Sequence, residues 1–198
     1  LGTLGFLTSA EKSELPKCLD SVLDDSCSID DRMMLEGVVY HGSEKIQTNT
    51  ALNDVIIARA GFSRLVELRI YVNGELLSIY NADGIIVSTP TGSTGYSLSA
   101  GGPIIFPQTD VMVITPICPH SLQARSLVVS GEDRIMIEIG RRRKTQKEEA
   151  MVTFDGRSAQ ELETGDRIEI YKAQETTQLI RLKGRSFYQV LQNKIGTA

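Results

Sequence analysis

The stretch Leu65-Val-Glu-Leu-Arg-Ile-Tyr-Val-Asn-Gly-Glu-Leu-Leu-Ser-Ile-Tyr80 decides the fold class. Its β-branched and aliphatic residues form two runs of strand length, Leu65–Val72 and Glu75–Tyr80. Between the runs lie Asn73 and Gly74, which both tolerate the positive φ that a two-residue hairpin turn requires. The stretch therefore predicts a β-hairpin.

Similar short runs lie on both sides of this hairpin. They follow one another closely with few helical stretches between them, which is typical of a two-sheet β domain. The sequence therefore predicts a mixed α/β chain that is mainly β. The further predicted strands are Met34–Tyr40, Ala51–Ala58, Gly84–Ser88, Val111–Pro116, Leu127–Val129, Arg134–Ile139, Met151–Phe154, Arg167–Lys172 and Gln178–Leu182.

Helical spacing of apolar residues occurs near both ends of the chain. It predicts an amphipathic helix over residues 9 to 25, with Ser9 as a candidate N-cap. Pro16 lies inside this stretch and indicates either a late helix start or a kink. The last helical segment is predicted over Ser186–Ile195.

Composition excludes several classes of protein. The 198 residues are 41% hydrophobic and carry a net charge of −4, so no overall attraction to nucleic acid is expected. No apolar run reaches the roughly 18 residues of a membrane span. Cys18, Cys27 and Cys118 are scattered, which argues against a disulfide framework and predicts a reducing, cytoplasmic location. Cys118 and His120 alone cannot complete a zinc site.

The segment most suggestive of chemistry is Asp83-Gly-Ile-Ile-Val-Ser-Thr-Pro-Thr-Gly-Ser-Thr-Gly-Tyr-Ser-Leu-Ser99. A buried strand leads into a loop of hydroxyl and glycine residues, and a short helix could begin near Thr94. Main-chain N–H groups at a helix start, together with hydroxyls, can bind a phosphate without basic side chains. The alternative is an ordinary Gly/Ser-rich turn. The Walker A, Rossmann and nucleophile-elbow patterns are all absent.

The same segment, extended to Pro103, closely resembles the signature of the ATP-dependent NAD kinases. Further matches lie on both sides of this segment, in the order that the family has, and span nearly the whole chain. They are Leu4-Gly-Phe-Leu7, Ala51-Leu-Asn-Asp54, Pro116-Ile-Cys-Pro-His-Ser-Leu122 and Phe154-Asp-Gly-Arg157. Gly95 stands where the family commonly has alanine. The Gly-Gly-Asp-Gly motif, whose aspartate is the family's proposed general base, is missing and is expected upstream of Leu1.

The resemblance implies a set of contacts to NAD. The residues are Phe6, Asn53, Asp54, Arg64, Asn81, Asp83, Thr94, Gly95, Tyr96, Ser97, Leu98, Ser99, Cys118 and Arg157. A carboxylate beside an amide suits ribose hydroxyls, and a guanidinium such as that of Arg64 suits phosphate. Arg157 replaces an amide and could favour a ligand with an additional phosphate.

Structural alternatives remain for several of these residues. Asn53 and Asp54 could be an Asx pair at a strand end, and Asp83 could belong to a turn. Phe6 and Tyr96 could be core residues. His120 is expected to be structural, because no pairing of a base with a nucleophile is recognisable nearby.

By resemblance, the activity is phosphoryl transfer from ATP, or from polyphosphate, to the 2′-hydroxyl of the adenosine ribose of NAD, giving NADP. Mg²⁺ or another divalent cation would accompany ATP, and the protein would be a homodimer or homotetramer. Two alternatives are a non-catalytic NAD(H)- or NADP(H)-binding module and, more remotely, a serine hydrolase using Ser93 or Ser97 with His120.

The family pattern also implies a domain division. Residues 1–28 would be the remnant of an N-terminal α/β domain on the ATP side, and 29–183 a β-rich NAD-binding domain of the NAD kinase type. Residues 184–198 would pack back on the N-terminal part.

Overall fold

The computed structural model describes residues 12–60, 65–121, 123–141, 148–181 and 186–195. No helix among these residues is long and apolar enough to cross a membrane. Short 3-10 helices, Lys12–Glu14 and Gly92–Thr94, precede α1 and α2. The helices are α1 (Leu15–Leu23), α2 (Tyr96–Ser99) and α3 (Phe187–Ile195), and the strands are β1 (Ser28–His41), β2 (Glu44–Ala51), β3 (Asp54–Arg59), β4 (Val66–Val72), β5 (Glu75–Ala82), β6 (Gly84–Ser88), β7 (Val111–Ile117), β8 (Leu127–Ser130), β9 (Ile135–Ile139), β10 (Glu149–Phe154), β11 (Arg157–Glu163) and β12 (Arg167–Arg181).

The smaller of two compact units comprises the described residues up to Arg32 and those from Thr177. Within it, Pro16 occupies the first turn of α1, so the prediction of a late helix start is confirmed, whereas Ser9 lies outside the described residues. The final helix is confirmed as α3. A reciprocal pair stabilises its start, because Gln189 N–H donates to Ser186 Oγ (3.2 Å) and Ser186 N–H donates to Gln189 Oε1 (2.9 Å).

Two six-stranded sheets confirm the predicted two-sheet β fold. The first sheet has the order β2-β1-β12-β9-β4-β5, and the second has the order β11-β10-β3-β6-β7-β8. The larger unit, Met33–Thr176, contains the second sheet and most of the first. The proposed division at residues 28 and 183 stays a prediction.

The central hairpin forms as predicted between β4 and β5. Asn73 and Gly74 form its turn, with φ values of +52° and +84°. Other predicted strands need correction at their ends. Ala51 closes β2 rather than opening β3, and β12 joins the two strands predicted over 167–172 and 178–182.

Two strands, β2 and β11, escaped sequence prediction. Each is an edge strand, and each is rich in polar residues such as Glu44, Thr48 and Gln160. An edge strand needs few apolar side chains, because only part of its surface is covered. The periodic signal on which the prediction depends is therefore weak in both.

Alternation along the strands separates an inner and an outer face of the second sheet. Val55 and Ile57 of β3 and Ile85 and Val87 of β6 are fully buried in the hydrophobic core. Side chains of a strand alternate between faces, so Asp54 and its neighbours at even positions lie on the outer face. Asp54 stands directly across from Ser88 in the β3–β6 ladder.

Candidate functional site

The bend Leu52–Asp54 connects the first sheet to the second, and the side chain of Asp155 holds its main-chain N–H groups. Asp155 Oδ2 accepts the N–H of Leu52 (2.8 Å), and Oδ1 accepts the N–H groups of Asn53 (2.7 Å) and Asp54 (3.2 Å). Asp155 N–H in turn donates to the carbonyl of Asp54 (3.0 Å). The bend therefore has a fixed main-chain path, set by the side chain of Asp155.

The hydroxyl-rich loop is attached to the same bend. Thr89 N–H donates to the carbonyl of Asn53 (2.9 Å), and Thr89 Oγ1 donates to the carbonyl of Leu52 (2.6 Å). Thr89 Oγ1 also accepts the N–H of Gly92 (3.0 Å). The structure thus brings together two of the predicted motifs, which are distant in sequence, and we call Asn53, Asp54 and Thr89–Ser99 the loop site.

Internal hydrogen bonds use several hydroxyls and N–H groups of the loop. Ser93 Oγ donates to the carbonyl of Pro90 (2.6 Å) and accepts the N–H of Ile105 (3.0 Å). Ser97 Oγ is buried and bonds Thr115 Oγ1 (3.0 Å). These bonds hold the loop in shape, and they disfavour Ser93 or Ser97 as a nucleophile, because their hydroxyls already have structural partners.

The residues from Thr94 to Ser99 differ in their access to solvent. Thr94 and Leu98 are half-buried, Gly95 and Ser99 are exposed, and Ser97 is fully buried. The Tyr96 side chain is 47% exposed, so the alternative of a core tyrosine is wrong. Its ring and phenol are available to a ligand.

Asp54 is the buried ionisable group of the loop site, with 5% exposure. Burial, and secondarily the negative charge of Asp155, raise the pKa of Asp54 to about 6. Across the ladder, the fully buried Ser88 Oγ has no hydrogen-bond partner among the described residues. The outer face here therefore contains one buried hydroxyl that the described residues do not satisfy.

Asp83 belongs to a second group of predicted residues. Its N–H donates to the carbonyl of Ile117 (3.0 Å), and its carboxylate pairs with Arg59, Nε to Oδ1 at 2.7 Å. Nearby, His120 N–H donates to the carbonyl of Asn81 (2.8 Å). We call Asn81, Asp83 and Cys118–His120 the Asp83 cluster. A cavity of about 250 Å³ is lined by Ile79, Tyr80, Asn81, Pro119, His120 and Ser121.

The loop site and the Asp83 cluster lie at opposite ends of the same strand pair. Asp54 opens β3 opposite Ser88, and Arg59 closes β3 beside Asp83. Five residue steps along a strand span about 17 Å. Within one chain the predicted residues therefore form two separate groups.

Arg157 follows the turn that places Asp155 against the bend. It is exposed and pairs with Phe154 across the β10–β11 hairpin, which brings its main chain near the loop site. Phe6 and Arg64 lie outside the described residues.

Sequence reasoning gave no role to the connecting residues Thr89, Asp155 and Arg59, although Thr89 and Asp155 lie within the quoted motifs. Asp155-Gly156 is a hairpin dipeptide, with φ values of +49° and +70°. That signal could have located the turn. Nothing in the sequence pattern indicated the contacts that the Thr89 and Arg59 side chains make.

The known proteins to which this chain is similar belong to one family. The family model for the ATP-NAD kinase C-terminal domain matches residues 52–182. The NAD kinase of Lachnoclostridium phytofermentans is 46% identical over 198 residues, covering 99% of this chain and 70% of its own. The NAD kinase of Lachnospira eligens is 47% identical over 204 residues, covering 98% of this chain and 70% of its own.

Two solved structures are similar in fold. Yeast NADH kinase complexed with NADH superposes with a TM-score of 0.86 at 32% identity, over 98% of this chain and 56% of that chain. An NAD kinase from Archaeoglobus fulgidus in complex with ATP gives 0.78 at 23% identity, over 98% and 71%, and supports the fold alone. This chain belongs to the NAD kinase family, whose C-terminal domain it contains over residues 52–182.

Proposed function

We propose that the loop site binds NAD, and that the protein transfers the γ-phosphoryl group of ATP to the 2′-hydroxyl of the adenosine ribose of NAD, giving NADP. The observation that carries this proposal is the attachment of the hydroxyl-rich loop to the Asn53–Asp54 bend through Thr89. That attachment makes a carboxylate, an amide and a set of hydroxyls into one rigid surface. Rigid placement of an acceptor hydroxyl is the main requirement of phosphoryl transfer.

Asp54 and Asn53 are assigned to a ribose of the ligand. An ionised carboxylate accepts hydrogen bonds from two neighbouring hydroxyls, and an amide can donate or accept. Because the pKa of Asp54 is raised to about 6, its carboxyl is mainly ionised above that pH and mainly protonated below it. We therefore expect NAD affinity to rise as the pH increases through 6.

The exposed ring of Tyr96 and the accessible groups of Thr94, Gly95, Leu98 and Ser99 would complete the contacts to NAD, with Ser97 holding the loop in place. Arg157, beside the same bend, would favour the additional phosphate of NADP, because a guanidinium binds phosphate through paired hydrogen bonds.

The Asp83 cluster is assigned to the nicotinamide half of the ligand. Because it lies about 17 Å from Asp54 along β3, we propose that it serves a ligand held by the loop site of a second protomer. A homodimer or homotetramer would then contain complete sites. The cavity beside Asn81 and His120 provides room for a ring at this position.

The catalytic base and the divalent cation are assigned outside the described residues. Among those residues, no group of three or more His, Cys, Asp or Glu side chains is placed to hold a metal ion. We propose a Mg²⁺ that is held largely by ATP phosphates, where it would neutralise developing charge. The general base would be the aspartate of a Gly-Gly-Asp-Gly motif preceding Leu1. The protein would act in the cytoplasm.

Calorimetry and a turnover assay test the proposal. The chain should bind NAD and NADP saturably. When it is expressed with the coding sequence that precedes Leu1, it should form NADP from NAD, ATP and Mg²⁺ in a coupled assay. Binding without turnover in the longer protein would identify a non-catalytic dinucleotide module. A folded protein that releases no heat with either nucleotide would refute the assignment of the loop site.

A further inference from the structure

We propose that Asp155 is a positioning residue for the NAD site, setting the main-chain path of Asn53 and Asp54 without contacting the ligand. The inference rests on the proposed function of the loop site. It assigns a role to a turn residue that lies about 100 positions away from the bend in the sequence.

Three consecutive N–H groups converge on the Asp155 carboxylate. The distances are 2.8 Å from Leu52, 2.7 Å from Asn53 and 3.2 Å from Asp54. Successive N–H groups of this kind form an anion-binding concavity, and here a side chain of the same chain occupies it. Hydrogen bonds to an ionised acceptor are roughly twice as strong as neutral ones.

The opposite side of the bend is in contact with the hydroxyl-rich loop. The carbonyls of Leu52 and Asn53 accept hydrogen bonds from Thr89, while their N–H groups donate to Asp155. The bend thus lies between the two elements. Release on the Asp155 side would let the bend, and with it the carboxylate of Asp54, shift relative to the loop.

The Asp155 turn is itself well defined. Asp155 and Gly156 both have positive φ, +49° and +70°, as a two-residue hairpin of the I′ type requires. Phe154 and Arg157 pair across it, and the Phe154 side chain is buried in the core. The carboxylate is therefore presented from a rigid hairpin end, although the residue is exposed.

Asp155 also acts on Asp54 through its charge. Its carboxylate is the second cause, after burial, of the raised pKa of Asp54. The titration of Asp54 therefore reports whether the Asp155 charge lies beside the bend, while amide exchange and NAD affinity report whether that contact positions it.

The test compares Asp155→Asn with a matched control, Asp133→Asn. Asp133 also accepts a main-chain N–H in a turn, from Ser130 (2.9 Å), but it lies at the β8–β9 turn and contacts none of the loop-site residues named above. For each variant and the wild type, NAD affinity is measured by calorimetry from pH 5 to 8. Amide exchange of Leu52, Asn53 and Asp54 and the carboxyl titration of Asp54 are followed by NMR without ligand.

At pH 8, where Asp54 is ionised with or without the Asp155 charge, Asp155→Asn should weaken NAD binding roughly tenfold, the expected scale for losing charge-assisted hydrogen bonds. It should also speed exchange of the three amides and lower the titration midpoint of Asp54, whereas Asp133→Asn should change none of these. Wild-type affinity in Asp155→Asn, or an equal loss in Asp133→Asn, would overturn the proposal. If Asp155→Asn does not fold, Asp155→Glu takes its place, because it keeps the charge but displaces it. Asp155→Glu should weaken NAD binding without lowering the titration midpoint of Asp54. Unchanged NAD affinity in this variant would also overturn the proposal. Absence of NAD binding by the folded wild type would instead refute the proposed function.

Discussion

Gly92 packs directly against the main chain of Asn53. A Cβ built on Gly92 would overlap the Asn53 carbonyl, which is part of the backbone and cannot rotate away. The same carbonyl accepts the N–H of Thr89 (2.9 Å). Contact between the loop and the bend therefore depends on the absence of a side chain at position 92.

Gly92→Ala should separate the loop from the bend. We expect a loss of about 1–3 kcal/mol in the free energy of unfolding, as for overpacked sites, together with loss of NAD binding. Gly95→Ala is the matched control, since its Cβ would lie 3.2 Å from the carbonyl of Gly92 and a small shift relieves the contact. Urea unfolding and calorimetry provide the comparison, and equal effects of the two substitutions would contradict it.

The titration of Asp54 should appear in the pH dependence of stability. Its folded-state pKa of about 6 exceeds the ordinary value of 3.8, so the folded state retains a proton that the unfolded state releases. The resulting stabilisation is fully present below pH 3.8 and is lost as the pH rises through 6. The loss amounts to about 3 kcal/mol, since one pKa unit corresponds to about 1.4 kcal/mol.

Asp54→Asn removes this dependence. The stability of the variant relative to the wild type should rise by about that amount between about pH 3 and about pH 7 and stay constant above. Urea unfolding at a series of pH values measures the difference. A difference that does not vary with pH would show that Asp54 titrates alike in both states.

Removing each of two buried hydroxyls of the outer face, those of Thr115 and Ser88, should affect stability differently. Thr115→Val leaves the buried Ser97 Oγ without its 3.0 Å partner and should destabilise the protein by about 1–3 kcal/mol. Ser88→Ala removes a buried hydroxyl that has no partner among the described residues, so stability should stay the same or rise. Thermal or urea unfolding compares the two, and a large loss in Ser88→Ala would reveal a hidden partner.

The Arg59–Asp83 ion pair should matter more for ligand selectivity than for stability. Both side chains are partly exposed, 27% and 34%, so breaking the pair should cost less than about 1 kcal/mol in unfolding. If Asp83 contacts the nicotinamide half of NAD, Arg59→Gln should weaken NAD binding up to roughly fivefold. Binding of ADP-ribose, which lacks nicotinamide, should be unaffected, and a parallel loss for both ligands would exclude the assignment.

Local signals account for the parts of the fold that were predicted. Asn73-Gly74 placed the β4–β5 hairpin because turn geometry is encoded in adjacent residues. Edge strands β2 and β11 were missed because their side chains carry little apolar periodicity. The order of strands within the two sheets depends on contacts between distant segments, and no local pattern encodes it.

The candidate site was predictable only in part. The resemblance to a family singled out Asn53, Asp54 and the loop from Thr94 to Ser99, and residue chemistry explains why they suit a nucleotide. The hydrogen bonds that join them run through Thr89 and Asp155, and such long-range pairings cannot be read from spacing. Solvent exposure separates the roles of Tyr96 and Ser97, because the first side chain is exposed and the second is buried although they are neighbours in sequence.

Strand β3 is paired on both sides, with β10 and with β6, and its middle is enclosed in the core. Lengthening it by one residue would turn every following side chain to the other face, so its length is hard to vary. The distance between its two polar ends, Asp54 and Arg59, is thereby fixed. Changes in the loops can alter which chemical groups lie at each end, but the distance between the two ends is set by the sheet.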